Sequence, residues 1–379
     1  MLTRRTFLKQ VAIAGSTAGM VRVTPVRGAG ESPDTTPSQI KAFCIDFNWW
    51  HDKFAPPGHW AEASPAEHVA WYHALNANVI QTFAVSCNGY AWYKGGCVPP
   101  QPGLEHNFLA DVVELAHKKG MLAMGYFCIA ANSKWGTDHP ELSYGTPSTM
   151  HIPFTDEYLS YLARSMGDAM KNTGMDGTMI DWIWNPADSL RSQGWLPAEQ
   201  KLFAQLTGKA FPASGQPASE DKLEYERRAI NRCWARIKEA RDSANPRCIL
   251  WLSASDLSNP SIHNSPMLRE VDWAMNESPD PKLYEIGRHM LGAKTRMLQN
   301  LVGWASHDAK HFLADPRHRG LDLYGFAEPG ENSLPLPIDE YLRKPVDAFK
   351  GNDHRSANNY NIAALARCYR GMAMDAVLP

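Results

Sequence analysis

The chain reads as a closed (β/α)8 barrel with an insertion after its fourth strand. Three observations lead there. From residue 43 onward short apolar runs alternate with helical stretches, eight such runs can be counted, and no Gly-x-Gly-x-x-Gly motif follows the first of them. Alternation of strand and helix implies right-handed β-α-β units and hence a parallel sheet. Eight units favour closure into a barrel, and the missing glycine motif argues against an open dinucleotide-binding sheet.

The candidate strands are "FCIDF" near residue 43, "NVIQTFAV" near 78, "MLAMGYFCIA" near 121 and "GTMIDWIW" near 177, then "CILWLSA" near 248, "VDWAMNES" near 271, "TRMLQNLVG" near 295 and "LDLYGFAEP" near 321. Near-continuous apolar runs of this kind suit strands buried on both faces. The helices between them carry their own start and stop signals. "SPAEHVAWYHALNA" opens with Ser64 as N-cap, Pro65 in the first turn and Glu67 three residues on, a capping box. "FLADVVELAHKKG" has apolar residues at helical spacing and ends on Lys118, Lys119 and Gly120. "DEYLSYLARSMGDAMKNTG" and "EYERRAINRCWARIKEARDSA" behave alike, and "NNYNIAALARCYRGMAM" near the end suits a closing helix. Residues 185–222 are long for one strand-to-helix link and read as a lid or small insertion.

Ahead of the barrel, "TRRTFLKQ" followed by "VAIAGSTAGMV" has the form of a twin-arginine export signal, with Arg4 and Arg5 as the pair and cleavage expected near Ala29. The apolar run is too short and too rich in Gly, Ser and Thr to span a bilayer. The expectation is therefore a leader over 1–30, a single barrel over 40–379, the twin-arginine export machinery as a partner, and a periplasmic or secreted protein. A formal net charge of −2 with charges spread along the chain gives no footprint for nucleic acid. No cofactor is implied, and no Cys or His spacing suggests a metal. Seven cysteines include several inside strand patterns; Cys87 and Cys97 flank a short loop and are the one pair whose spacing suits a disulfide.

In a (β/α)8 barrel the chemistry sits at the C-terminal ends of the strands, which turns the architecture into a residue list. Strand one ends at Asp46, strand four at Asp181, strand five at Ser255 and Asp256, strand six at Glu277, strand seven near His307 and Asp308, and strand eight at Glu328. Asp181, between apolar residues and Trp182, and Glu277, shortly before Pro279, make a candidate pair of opposed carboxyls. Glycoside cleavage needs such a pair: in a retaining enzyme one attacks the anomeric carbon while the other protonates the leaving oxygen. Asp46, Trp49, Asn88, Tyr90, Asn132, Trp135 and Trp182, with Asp308 or Glu328, are expected to line a sugar pocket. A non-catalytic carbohydrate-binding barrel is the alternative, since thirteen tryptophans, thirteen tyrosines and thirteen phenylalanines serve stacking on sugars as readily as core packing.

At "CIDFNWW", "VSCNGYAWYKGG", "LEHNFLADVVELAHKKGMLAMGYF" and "GMDGTMIDWIW" the chain resembles the α-L-fucosidase family of glycoside hydrolases, and more so the related glycoside hydrolases of the same barrel superfamily. The likeness runs from about residue 43 to 185. It implies a (β/α)8 glycosidase that needs no cofactor, acts with retention and uses the acid closing the fourth strand, Asp181, as nucleophile. Glu277 as acid/base comes from its position alone. Where the fucosidases carry a His-His-Asp-Gly-Phe type motif, this chain has Cys87, Asn88, Gly89 and Tyr90, which lack the histidines that hold a fucose ring.

Overall fold

The computed structural model describes residues 36–378 except 51–52, 255, 279–280, 302–308, 316–317 and 319. The segment expected to be an export leader, together with Ser255, His307 and Asp308, lies outside the described residues.

Eight parallel strands close into a barrel. They are β1 (Lys41–Ile45), β2 (Val79–Val85), β3 (Leu122–Cys128), β4 (Gly177–Asp181), β5 (Ile249–Ala254), β6 (Trp273–Asn276), β7 (Arg296–Asn300) and β8 (Asp322–Ala327). Each pairs with the next in chain order and β8 returns to β1, so the fold class read from the sequence is the one observed. Every residue of β2, β3 and β4 is buried, which is why these strands read as continuous apolar runs rather than alternating ones.

Contacts across the barrel show which side chains fill it. Trp251 on β5 meets Trp273 on β6 and, from three strands away, Tyr324 on β8, with ring centroids 5.6 and 5.4 Å apart. The Tyr324 hydroxyl donates to Gln81 Oε1 on β2 at 2.8 Å, passing over β1. These residues therefore point inward, and the two-residue period of a strand carries the inward face on to the rim. From Tyr324 it runs through Phe326 to Glu328, and from Trp273 through Met275 to Glu277.

The outer layer follows the same local rules. The helix α1 (Pro65–Leu75) is capped by Ser64, whose Oγ accepts the Glu67 N–H at 3.3 Å. α2 (Phe108–His117) is followed by Gly120 in the left-handed region, φ 69°. α3 (Asp156–Thr173) starts on Thr155 and stops at Gly174, φ 68°, a conformation that favours glycine. α4 (Ser219–Ala244) packs chiefly on α3. Four more helices complete the ring: α5 (Pro266–Glu270), α6 (Pro281–Met290), α7 (Ala309–Ala314) and α8 (His354–Tyr369). The last lies against β8 and is the closing helix foreseen in the tail. Among the described residues no helix is long and apolar enough to cross a membrane.

The insertion after β4 holds a short turn at Asp188–Arg191 and a helix at Pro197–Thr207 before α4 begins. Its centre is polar and fully enclosed. Glu199 is 0% exposed and accepts from Arg191 Nη2 at 2.5 Å, Tyr144 Oη at 2.5 Å and Tyr225 Oη at 2.9 Å. Arg191 also lies over the Trp195 ring, 4.1 Å from its centroid. The insertion is thus fastened to α4 through Tyr225 and to the Tyr144–Thr146/Thr149–His151 hairpin through Tyr144.

The structure answers the question the sequence leaves open for Cys87 and Cys97. All seven cysteines are free thiols. Cys87 is buried, with its Sγ 3.8 Å from the Tyr126 hydroxyl and in contact with Cys128. Cys97 is exposed and bonds Ser165 instead. The two thiols therefore have different neighbours despite their spacing along the chain.

Candidate active site

Four carboxyl groups meet at the C-terminal mouth: Asp46 after β1, Asp181 ending β4, Glu277 after β6 and Glu328 after β8. Asp181 is 7% exposed and held by both oxygens. The Tyr126 hydroxyl donates to Oδ2 at 2.6 Å and the Trp182 N–H to Oδ1 at 2.8 Å. Register explains the first contact. Cys128 on β3 sits opposite Asp181 on β4, so Tyr126, two residues earlier on the same inward face, stands one layer beneath the carboxyl.

Trp182 has φ 55°, a left-handed conformation rare for a tryptophan and costing about 1 kcal/mol or more. Its ring lies parallel to His151, 5.5 Å away at 14°, and near Trp184 at 5.8 Å. Trp49 and Phe54, from the Trp49–Trp50/Lys53–Phe54 hairpin, approach the same ring at 6.4 and 5.7 Å. An aromatic wall therefore stands beside Asp181.

Glu277 is fixed by Ser253, whose hydroxyl donates to Oε1 at 2.8 Å, while Asn300 Nδ2 donates to the Glu277 carbonyl at 2.7 Å. Asp46 Oδ1 accepts the Asn48 N–H at 2.8 Å, and its own N–H donates to Ala327 at 2.9 Å, which places it level with Glu328 on the neighbouring strand.

The electrostatics follow from crowding acids in a shielded mouth. Burial raises the proton affinity of Asp181, and the charge of Glu277 adds to it; the donors Tyr126 and Trp182 work the other way. Burial likewise raises Glu277 against the opposing Ser253 hydrogen bond. Asp46 is lifted from 3.8 to about 7, first by burial and then by the charges of Glu328 and Glu277. Among the described residues no group of His, Cys, Asp and Glu side chains is arranged to hold a metal ion.

A carboxyl whose pKa rises on folding keeps its proton in the folded state after the unfolded chain has lost it. Its stabilising effect is complete below pH 3.8 and is lost as pH climbs towards about 7. Thermal unfolding should accordingly show a protein more stable at pH 5 than at pH 8. Asp46→Asn should flatten that slope by an amount on the order of 1 to a few kcal/mol. Equal slopes in the two proteins would show that Asp46 titrates normally.

The remaining sequence candidates divide. Trp49 and Trp182 belong to the aromatic wall, and Glu328 stands beside Asp46. Asn88 is engaged in its own loop: Nδ2 donates to the Ala55 carbonyl at 3.2 Å, Oδ1 accepts the Tyr90 N–H at 3.1 Å, and its amide faces that of Gln101. Tyr90 is half-buried in the same loop. Gly89 between them has φ 86°, and a Cβ there would lie 2.1 Å from Asn132 Oδ1. Asn132 caps the Ser133–Asp138 helix through the Trp135 N–H at 2.8 Å. Trp135 is 6% exposed and stacks on His139, lining a groove apart from the four carboxyls. Tyr126, Ser253 and His151 were not singled out from the sequence. A tyrosine two residues before the end of one strand, with an acid ending the next, was the one available signal.

An (β/α)8 barrel with an acidic mouth beside an aromatic wall is the class that fold and site define. Residues 64–182, from the cap of α1 to just past Asp181, match the model of a family described as hypothetical glycosyl hydrolase 6. Among solved structures the chain is similar to α-L-fucosidase isoenzyme 2 from Paenibacillus thiaminolyticus, at 13% identity and a TM-score of 0.60 over 87% of this chain and 49% of that one. It is also similar to the PgaB (BpsB) glycoside hydrolase domain from Bordetella bronchiseptica, at 12% identity and a TM-score of 0.54 over 77% of this chain and 94% of that one. A third likeness is to a chitobiase from Flavobacterium johnsoniae, at 13% identity and a TM-score of 0.52 over 88% and 50%. The chain spans about half the length of the fucosidase and of the chitobiase. At these identities the likeness is one of fold. A search of curated proteins finds no match to the sequence.

Proposed function

We propose that the protein is a glycoside hydrolase that cleaves a glycosidic bond with retention, using Asp181 as nucleophile and Glu277 as acid/base. The observation that carries this reading is that buried Asp181 and half-buried Glu277 stand on non-adjacent strands of one mouth, each held by a hydroxyl donor, with the charge of Glu277 felt at Asp181. The matched glycosyl hydrolase segment ending at Trp182, and structural neighbours that are themselves glycoside hydrolases, support the reaction class.

In the first step a carboxylate oxygen of Asp181 bonds to the anomeric carbon as the bond to the leaving oxygen breaks, and the Glu277 proton passes to that oxygen. In the second, Glu277, now a carboxylate, takes a proton from water, whose oxygen displaces Asp181 from the anomeric carbon. Burial raises the proton affinity of both carboxyls, and Glu277 is the one proposed to hold the proton as the acid. Two hydrogen bonds onto Asp181 favour its charged form against burial. Trp49 and Trp182 supply flat faces for the sugar, and Asp46 and Glu328 take its hydroxyls.

An α-L-fucosidase-like activity is the finer proposal, weakened by Cys87, Asn88, Gly89 and Tyr90 standing where the fucosidases carry a His-His-Asp-Gly-Phe type motif, without its histidines. Hydrolysis of a panel of nitrophenyl glycosides that includes the α-L-fucoside tests class and sugar together, and proton NMR of the first-formed product should show the anomer of the substrate. No turnover of any member, or the opposite anomer, defeats the reaction or the retention respectively. Export by the twin-arginine route is proposed from Arg4 and Arg5; a mature periplasmic protein beginning near residue 30 supports it, and cytoplasmic full-length chain opposes it.

A further inference from the structure

We propose that the groove between the Ser133–Asp138 helix and the first turns of α3 is a second saccharide-binding site, separate from the barrel mouth. It is a half-open groove of about 380 Å³, and none of Asp46, Asp181, Glu277 and Glu328 lines it. That volume falls in the usual range for small-molecule sites, roughly 300 to 1,000 Å³.

Its lining matches an uncharged, hydroxyl-rich ligand with a flat face. One side is the Trp135–His139 stack, with ring centroids 4.1 Å apart at 12°, where the half-buried imidazole covers the tryptophan and faces the groove. Around it stand two cations, Lys134 and Arg164, and two carboxylates, Asp138 and Glu157. The signs cancel, with Lys134 already paired to Asp138 on the same helix, so the groove has no net attraction for an anion or a cation. It instead offers both donors and acceptors to hydroxyl groups.

An independent observation points to an occupant. The Tyr93 side chain is 0% exposed, and its hydroxyl has no hydrogen-bond partner. It lies against Gly96, where an added Cβ would come 2.7 Å from the hydroxyl, next in the chain to the groove residue Cys97. Leaving a buried hydroxyl unpaired costs roughly 1 to 3 kcal/mol, which a ligand hydroxyl entering past Cys97 would recover. Ser133, next to the groove residue Lys134, also has a buried hydroxyl without a partner.

The groove shares its supports with the mouth. Asn132 caps the helix that carries Lys134 and Trp135, and its Nδ2 reaches Tyr161 Oη at 3.5 Å. The preceding Ala131 bridges to His151, whose ring lies parallel to Trp182 beside Asp181. A glycan chain held in the groove would therefore lie next to the wall of the mouth. The choice of a saccharide as ligand rests on the glycosidase reading, whereas the groove's geometry does not.

The test is calorimetric binding of cellohexaose, xylohexaose and chitohexaose to the full chain carrying Asp181→Asn, which abolishes turnover under the proposed mechanism. His139→Ala and Arg164→Ala are then added. Arg164 is exposed and His139 half-buried, so both changes leave the core intact. At least one hexasaccharide should bind at two sites, and the added changes should weaken one of them tenfold or more. They should also raise KM for long substrates in the otherwise unaltered enzyme while leaving kcat on a nitrophenyl glycoside unchanged. Binding by none of the three, or binding indifferent to both changes, overturns the groove site. Binding that persists in an enzyme inactive on every glycoside overturns the catalytic reading alone.

Discussion

Asp181→Asn should reduce glycoside hydrolysis by roughly four orders of magnitude or more, the scale of loss when a catalytic nucleophile is removed. The amide has nearly the shape of the carboxylate but cannot form the glycosyl ester. It also cannot accept from both Tyr126 and Trp182, because one of its two positions is now an NH2 group. Folding should survive. Burial and the charge of Glu277 raise the proton affinity of Asp181, so the carboxylate is a cost to the folded state at neutral pH that an amide does not carry. Circular dichroism and sugar binding should therefore match the parent protein while kcat collapses. The stronger form of the experiment uses Asp181→Gly with azide and a nitrophenyl substrate. Azide enters the vacated space, bonds to the anomeric carbon as nitrophenolate leaves, and gives a glycosyl azide of inverted configuration. An Asp181→Asn protein with undiminished turnover would remove Asp181 from the chemistry, and sugar binding without turnover in the parent would mark the barrel as a binding protein.

Glu199→Gln should destabilise the fold by about 3 to 5 kcal/mol, the usual cost of removing one partner from a buried ion pair. Arg191 is 3% exposed and keeps its charge, whose main partner is the 0% exposed Glu199. Its other ion pair, with Asp188 Oδ1 at 3.5 Å, is at the surface, and the Trp195 ring carries no charge to match it. The neutral amide also mismatches three donors that all aim at its oxygens, Arg191, Tyr144 and Tyr225. Chemical denaturation measures the loss, and limited proteolysis should cut first within residues 185–222. Adding Arg191→Met to Glu199→Gln should return much of the stability, since removing both charges also removes the desolvation cost of the pair. A shift below about 1 kcal/mol for Glu199→Gln would mean that Arg191 finds compensation elsewhere. Because Tyr144 belongs to the hairpin that ends at His151, and His151 lies along Trp182, loosening the insertion should also lower activity at temperatures where the barrel stays folded.

Asp46, Asp181, Glu277 and Glu328 were all legible as rim acids, because a strand end is visible in the sequence and the barrel assigns every strand end to one mouth. Trp135 was expected there for the same reason. It lies instead against His139, since the Ser133–Asp138 helix turns its ring away from the barrel axis. The insertion was legible as extra length but not as a structure. Glu199, in a surface-looking helix of mixed composition, gave no sign that it would be the most enclosed acid of the described chain.

What the sequence determined by itself was the barrel, its caps and the ring of acids. Those depend on hydrophobic period, cap residues and strand ends, which are patterns over a few neighbouring positions. What the tertiary structure decided was which groups serve those acids. Tyr126 reaches Asp181 across 55 positions and Ser253 reaches Glu277 across 24, while Tyr144 reaches Glu199 across 55. Such partners are set by the register and closure of the barrel and by the docking of its insertion. A chain reveals its local periods before it folds, but the meeting of distant side chains exists only once the barrel has closed.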